Sequence, residues 1–182
     1  MLSKVSREPV NGIRKMYNNS ILSDLKYFEK RGNIYTIYDQ RQMPFDCEFV
    51  QDKISKSSQG VIRGFHGDNK TWKLITCLHG RVKLVTFNVD TDEKNVYFLD
   101  GDDERSTSVL VPPRTLNAHQ CLSQGCIFYY KWSEFYTSPQ EQWSVNYNDS
   151  GINPQWDSRF SEIISDRDRN SKSLKELKKN VM

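Results

Sequence analysis

The sequence predicts an all-β chain, an antiparallel sandwich or jelly roll closed by a short C-terminal helix. Three observations carry this prediction. Short runs of β-branched and aromatic residues recur from Asn33 onward. Clusters of Gly, Pro, Asp and Asn separate them at close intervals. No segments of helical period alternate with the runs, which removes a βαβ architecture.

Taken in order, Asn33 to Tyr38 is β-branched and aromatic. Glu48 to Ile54 reads as a strand with Phe49, Gln51 and Lys53 on one face and Val50, Asp52 and Ile54 on the other. Gly60 to His66 and the run that begins near Lys73 form a strand-turn-strand unit, with His66 at a strand end. Trp72 to Leu78, then His79-Gly80, then Arg81 to Val89 has the apolar-turn-apolar pattern of a hairpin. Val96 to Leu99, Ser108 to Val111, Cys126 to Trp132 and Trp143 to Tyr147 complete the strands. Turns fall at Asp90 to Lys94, Asp100-Gly101-Asp102-Asp103 and Pro112-Pro113. Near the C-terminus, Ser173-Leu174-Lys175-Glu176 has capping-box spacing, with Leu174 and Leu177 on one side of the helix it starts. The polar tail from about residue 169 equally suits a segment that frays in solvent. With 182 residues and neither repeat nor low-complexity linker, the expectation is one domain spanning 1–182.

The charge balance narrows the partners. A net charge of +3, from 26 basic and 23 acidic residues, is weaker than nucleic-acid binders show. It fits a local basic pocket for a phosphorylated ligand, or a mixed solvated surface. The first residues have no apolar core of a signal peptide, and no run approaches the ~18 apolar residues of a membrane span. The expectation is a cytoplasmic protein with no nucleic-acid or membrane partner. Cys47, Cys77, Cys121 and Cys126 contain no C-x-x-C pair and read as buried free thiols. Three histidines without His-x-His do not supply a metal set, so no metal is expected.

Gly60-Val61-Ile62-Arg63-Gly64-Phe65-His66, with Lys73 seven residues on, concentrates chemistry. A guanidinium binds phosphate bidentately. An imidazole takes a proton near neutral pH. An ammonium stabilises an oxyanion. Together they point to proton abstraction beside a carbonyl in an anionic substrate. The plainer reading of His66 is a turn histidine with a satisfied hydrogen bond. Asp166, within Ser165-Asp166-Arg167-Asp168, is a candidate carboxylate to orient it, and the sequence does not show whether it reaches His66. Tyr129 and Tyr130 face opposite sides of a strand, one towards the core and the other free to act as a phenol acid; alternation does not say which. Arg31 precedes Gly32 in what is otherwise a simple turn. Gln51 suits either an internal amide hydrogen bond or a ligand contact.

These residues, taken with their neighbours, resemble the nucleotide-sugar 3,5-epimerases, of which dTDP-4-dehydrorhamnose 3,5-epimerase is the best-known member. The resemblance runs from about Arg31 to Asp168. It rests on Arg31-Gly32, Phe49-Val50-Gln51-Asp52, Val61 to His66, Trp72-Lys73-Leu74, Val111-Pro112-Pro113, Ala118-His119, Tyr129-Tyr130-Lys131, Tyr136 with Pro139, and Ser165 to Asp168, in that order. It implies a cupin-type antiparallel β jelly roll, a homodimer, and no cofactor or metal. It makes His66 the base with Asp166 as its partner, Tyr130 the acid on the opposite sugar face, and Lys73 the partner of the enolate oxygen. Arg63, His119, Gln51, Arg31, Lys53, Asn117 and Tyr136 become substrate-binding residues.

The resemblance implies inversion of C3, C5 or both in a nucleotide-linked 4-keto-6-deoxy sugar, by deprotonation to an enolate and reprotonation from the other face. The chain departs from the hexose enzymes at Gly67-Asp68, at Lys53 where they often have Asn, at Thr36 in place of a Glu, in a longer 113–119 loop, and at Asn153-Pro154-Gln155-Trp156 where Asp-Trp-Pro is absent. His66-Gly67-Asp68, Lys70 to Leu74, Asn117-Ala118-His119 and Tyr129-Tyr130-Lys131 are similar to a subgroup acting on GDP-linked 4-keto-6-deoxy-heptoses. A GDP-heptose is therefore the preferred substrate expectation, with a dTDP-hexose second. The alternatives are a non-catalytic jelly-roll protein that binds sugar nucleotides, and a sugar 3,4-ketoisomerase, which also begins with enolisation.

Overall fold

A computed structural model describes residues 20–43 and 47–181. Among them the chain forms β1 (Ser20–Leu25), β2 (Tyr27–Glu29), β3 (Gly32–Ile34), β4 (Gln51–Ser58), β5 (Val61–Gly67), β6 (Lys73–His79) and β7 (Arg81–Asn88). There follow β8 (Lys94–Asp100), β9 (Arg105–Val111), β10 (Thr115–Cys121), β11 (Gly125–Trp132), β12 (Trp143–Ser144) and β13 (Ile163–Ile164), then α1 (Asp166–Arg169) and α2 (Leu174–Val181). One sheet has the order β1-β9-β6-β11-β4 and the other β12-β5-β10-β7-β8, with β13 added in parallel beside β5. The remaining pairings in both sheets are antiparallel. This is the jelly roll expected from the sequence. No helix among the described residues is long and apolar enough to cross a membrane.

Two apolar layers hold the sandwich. Ile75, Val82, Leu84, Leu99, Val109 and Phe128 meet between the sheets. On the other face of the second sheet, Phe65, Val85, Phe87, Leu116 and Ala118 pack under Val145, Ile152, Leu174 and Leu177. The centre of that sheet is therefore covered on both sides. From Val82 to Asn88 and from Thr115 to Cys121 every residue is buried, so these strands show no two-residue alternation. β4 has one solvated face and keeps the alternation, with Gln51, Lys53 and Ser55 inward and Asp52, Ile54 and Lys56 exposed. All four cysteines are free and buried.

The structure corrects several element assignments. β6 and β7 are not a hairpin: β6 pairs with β9 and β11, and β7 with β8 and β10. Gly80 makes the corner at which the chain changes sheets. Its φ is +71°, and a Cβ there would lie 2.1 Å from the Gly125 carbonyl oxygen, so only glycine fits. A hairpin and a sheet-switching corner have the same apolar-Gly-apolar pattern, and partner strands far along the chain decide between them. The expected 113–119 loop is mostly β10; Asn, His and Gln lower its β-propensity, but β5 and β7 pair with it on both sides. The 33–38 strand shrinks to β3, which among the described residues pairs with β2 alone. The 48–54 strand begins at Gln51, and 143–147 keeps two strand residues plus an isolated bridge from Val145 to Lys172.

The C-terminal tail docks instead of fraying. The Glu176 carboxylate accepts from the Ser173 backbone N–H at 2.8 Å, and Ser173 Oγ accepts from the Glu176 N–H at 3.2 Å, which is the reciprocal cap read from the sequence. Asp149 accepts from the Leu174 N–H at 3.0 Å. Leu174 and Leu177 are buried against the sheet. Leu177→Ala is expected to lower the unfolding free energy by ~2–4 kcal/mol in urea titrations followed by tryptophan fluorescence. Glu176→Ala should destabilise the chain less than Leu177→Ala, because it removes only the exposed half of the cap. A Leu177→Ala chain as stable as the parent would show a frayed helix.

Candidate active site

The site forms where β5 and β10 run out of step. Asn117 opposes His66 and His119 opposes Arg63, so Gly64 and Phe65 on β5 face only Ala118 on β10. That extra residue is a β-bulge. Residues three apart on a regular strand point to opposite faces; the bulge instead turns both Arg63 and His66 into the same cavity while Phe65 enters the core behind. Gly64 permits it: its φ is +120°, and a Cβ would lie 2.6 Å from both the Ala118 Cβ and the Asn117 carbonyl oxygen.

The cavity holds about 300 Å³ between the two sheets. Lys53 on β4, Lys73 on β6, and Tyr130 and Trp132 on β11 come from one side. Arg63, His66, Asn117 and His119 come from the other, and Tyr136, Gln142, Ser165, Arg167 and Asp168 close the rim. The chain from β5 to β6 crosses between the sheets, which sets His66 and Lys73 on facing walls. Asp68 shapes that crossing by accepting the N–H groups of Lys70 (3.0 Å) and Thr71 (2.6 Å).

The carboxylate beside His66 is Asp168, and this corrects the assignment of Asp166. His66 Nε2 lies 2.7 Å from Asp168 Oδ1, while Asp168 Oδ2 accepts the Gly64 N–H at 3.2 Å. β13 lies beside β5, and Ser165 caps α1 by accepting the Asp168 N–H at 3.2 Å. Two residues on a helical turn are about 200° apart, so Asp168 turns inward and Asp166 is exposed. Burial raises the Asp168 pKa, but His66, the Gly64 N–H and Ser165 outweigh it and leave the carboxyl below its usual value. An ionised carboxylate only accepts, so Nε2 carries the hydrogen that points at Asp168.

Four cations, Lys53, Arg63, Lys73 and Arg167, line the cavity with one carboxylate. Lys73 is 3% exposed. Burial, with a contribution from Lys53, lowers its pKa to about 8 against the opposing pull of Asp68. Its Nζ donates to Asn117 Oδ1 at 2.9 Å and lies 5.1 Å from the Trp132 ring centre. Lys53 Nζ sits 3.4 Å from the Tyr136 ring centre and 4.6 Å from that of Trp132, within cation–π range. Burial raises the Tyr130 pKa, partly offset by Ser55 and Arg63, so the phenol keeps its proton at neutral pH. His119 stacks on Phe128 at 3.8 Å, and burial beside Arg63 and His66 lowers its pKa to about 3. It is a neutral wall. Its Nε2 is buried with no protein partner among the described residues.

Of the residues expected from the sequence, His66, Tyr130, Lys73, Arg63, His119, Lys53, Asn117 and Tyr136 converge on this cavity. Arg31 does not: it sits in the β2–β3 turn, 84% exposed and paired with Glu29. Gln51 takes the plainer of its two roles, accepting the Tyr136 N–H at 3.0 Å and so positioning the rim. Sequence reasoning missed Trp132, Gln142, Arg167 and Asp168. Trp132 was accessible to alternation, two residues after Tyr130. Arg167 and Asp168 stood in a motif that had been singled out, but the phase of the helical turn was not. Among the described residues no three His, Cys, Asp or Glu side chains are close enough to hold a metal.

The dTDP-4-dehydrorhamnose 3,5-epimerase family pattern matches residues 16–176 of this chain. The chain belongs to the dTDP-4-dehydrorhamnose 3,5-epimerase family. It is an isomerase acting on carbohydrates. The Escherichia coli dTDP-4-dehydrorhamnose 3,5-epimerase is 28% identical over 92% of this epimerase and 96% of its own length, and the Shigella flexneri enzyme 31% identical over 70% and 72%. The crystal structure of the Elizabethkingia anophelis enzyme superposes with a TM-score of 0.74 at 27% identity, covering 95% of this chain and 97% of that one. A Legionella pneumophila epimerase bound to dTDP-4-keto-L-rhamnose has a TM-score of 0.79 at 23% identity over 90% and 92%, and shows the same cupin-like fold. These relatives are named for dTDP sugars, and the expected GDP-heptose subgroup finds no support among them. Gly67 and Asp68, which had suggested it, lie outside the cavity lining. A Cβ on Gly67 would lie 2.8 Å from the Thr115 carbonyl oxygen, so packing against β10 requires that glycine.

The pairing separates the two aspartates experimentally. Asp168→Asn in this epimerase is expected to lower turnover ~10²–10⁴-fold, and Asp166→Asn to stay within about twofold of the parent, in assays of solvent deuterium uptake. The Lys73 ammonium is intact below about pH 8 and lost above it, so turnover should fall through an alkaline limb there. Stability should move the other way. Between about pH 8 and the unfolded value near 10.5 the unfolded chain holds a proton that the folded chain has shed. Lys73 therefore contributes stability that rises with pH across that window, which thermal melts of the parent and Lys73→Met would show.

Proposed function

We propose that this epimerase inverts C3, C5 or both of a nucleotide-linked 4-keto-6-deoxy sugar, without a redox cofactor. One observation carries the reading: His66 and Tyr130 project from opposite sheets into one cavity, with the Lys73 ammonium beside them. The ketone acidifies the neighbouring C–H. His66 Nδ1 takes that proton and becomes imidazolium, steadied by Asp168. The electron pair moves onto the ketone oxygen, where Lys73 stabilises it more than it stabilises the neutral ketone. Tyr130 returns a proton to carbon from the other face, and exchange with solvent resets both groups. Arg63 and Lys53 are suited to the diphosphate, and Tyr136 to the nucleotide.

The names of the relatives favour dTDP as the carrier. A GDP-linked heptose keeps one structural argument, Lys53 in the cavity where hexose enzymes often carry Asn. We further propose a homodimer. The β2–β3 hairpin stands apart from both sheets with Tyr27 67%, Phe28 51% and Ile34 72% exposed, and Arg31 in its turn. Such a surface suits a second copy of the chain.

The test is incubation in heavy water with dTDP- and GDP-linked 4-keto-6-deoxy sugars, read by NMR at C3 and C5. Deuterium should enter one or both positions with inversion. His66→Asn should slow uptake ~10²–10⁴-fold, and Tyr130→Phe should lose inversion more than exchange. Binding without exchange from any of these sugars identifies a non-catalytic binder. A product carbonyl at C3 identifies a ketoisomerase. Light scattering that gives the monomer mass at assay concentration removes the dimer.

A further inference from the structure

Lys73 has an unusual environment for a buried ammonium. It is 3% exposed, yet no carboxylate among the described residues bonds it. Its acceptors are neutral: Asn117 Oδ1 at 2.9 Å, and the His66 carbonyl oxygen at a long 3.4 Å. Buried charges are ordinarily paired with opposite charge. Asn117 is itself 8% exposed and held on both sides, opposite His66 on β5 and Thr86 on β7. The bulge begins immediately after it. One backbone position therefore ties the Lys73 ammonium to the level of the His66 ring.

We infer that Asn117 is a positioning residue that aims the Lys73 ammonium at the oxygen on which charge develops, acting through Lys73 instead of by touching the sugar. The inference rests on the epimerase reading and deepens it. A neutral amide suits the task in a way a carboxylate does not. It fixes the direction of one N–H, leaves a third N–H free beyond the long contact to the His66 carbonyl, and does not cancel the charge an enolate needs. A carboxylate at 2.9 Å would compete with the enolate for the same cation. Lys73 engages the amide oxygen and so fixes the plane of the Asn117 side chain.

The other ionisable groups that line the cavity with Lys73 are Lys53 on β4, Arg63 and His66 on β5, His119 on β10, Tyr130 on β11, and Arg167 and Asp168 in α1, with Asp68 acting from the turn before β6. None of them is altered by changing Asn117. The test uses the full chain carrying ¹³C-labelled lysine. The Lys73 Cε resonance is titrated without substrate, and kcat and KM for deuterium uptake are measured from a dTDP-linked 4-keto-6-deoxyhexose across pH. Asn117→Asp should raise the Lys73 midpoint by about one unit or more and carry the alkaline limb upward with it. Asn117→Ala should lower kcat ~10- to 100-fold with KM within about threefold. If Asn117→Ala does not fold, the near-isosteric Asn117→Asp decides alone. An unmoved Lys73 midpoint in Asn117→Asp overturns the inference. So does a raised KM at unchanged kcat in Asn117→Ala, which makes Asn117 a substrate contact. A parent that takes up no deuterium sinks the epimerase reading, while the Lys73 titration still decides the contact.

Discussion

The site depends on one extra residue in β5. Because Gly64 and Phe65 face only Ala118, Arg63 and His66 share a face that two-residue alternation would deny them. The same departure leaves the Gly64 N–H free of β10, and Asp168 takes it up with one carboxylate oxygen while the other meets His66. The bulge, the inward-turned histidine and its carboxylate are thus one hydrogen-bonded unit. Glycine at 64 is the condition for all three, since any Cβ would collide with β10. Glycine takes this conformation without steric cost, and the sheet around it is packed on both faces.

That double packing also sets the electrostatics. The sandwich buries Lys73 and His119 in the cavity wall, with 3% and 2% of their surface exposed. Burial moves both towards the neutral form, but their ordinary values differ, so the outcomes differ. His119, at about 3, is neutral throughout the physiological range, whereas Lys73, at about 8, stays mostly charged at neutral pH. One environment therefore produces a neutral wall and a cation that keeps its charge, as the proposed enolate chemistry requires. A low-dielectric site makes the attraction between a cation and an enolate stronger than it would be in water. The modest net charge of the chain conceals this, because the cations that matter are gathered on two facing walls.

Much was legible before the fold was known. Strand runs, the Asp90–Lys94 and Pro112-Pro113 turns and the Ser173–Glu176 cap are local, and local chemistry determines them. The inward face of β4 followed from alternation because its other face meets solvent. What failed was non-local. The Gly80 corner reads as a hairpin until β9, β10 and β11 supply partners for its two strands. β10 reads as a loop until β5 and β7 satisfy its backbone. Gln51 was open between two roles, and the Tyr136 N–H resolved it. A sequence motif does not state where a helical turn begins, so Ser165-Asp166-Arg167-Asp168 alone does not show which aspartate faces His66.

The sequence by itself determined the chemical inventory: a jelly roll carrying an imidazole, a phenol, a lysine and a guanidinium, in an order that matches the 3,5-epimerases. Only the tertiary structure decided the geometry. It chose Asp168 over Asp166, removed Arg31 from the cavity of its own chain, and moved Gly67 and Asp68 from substrate selection to backbone packing. The physical reason is the same each time. Residue type and spacing set what a side chain can do and which face of a regular strand it occupies. A bulge, a sheet-switching corner and the phase of a helical turn depend on how closely distant strands approach, and in this chain β5 and β10 approach closely enough to exclude a single Cβ.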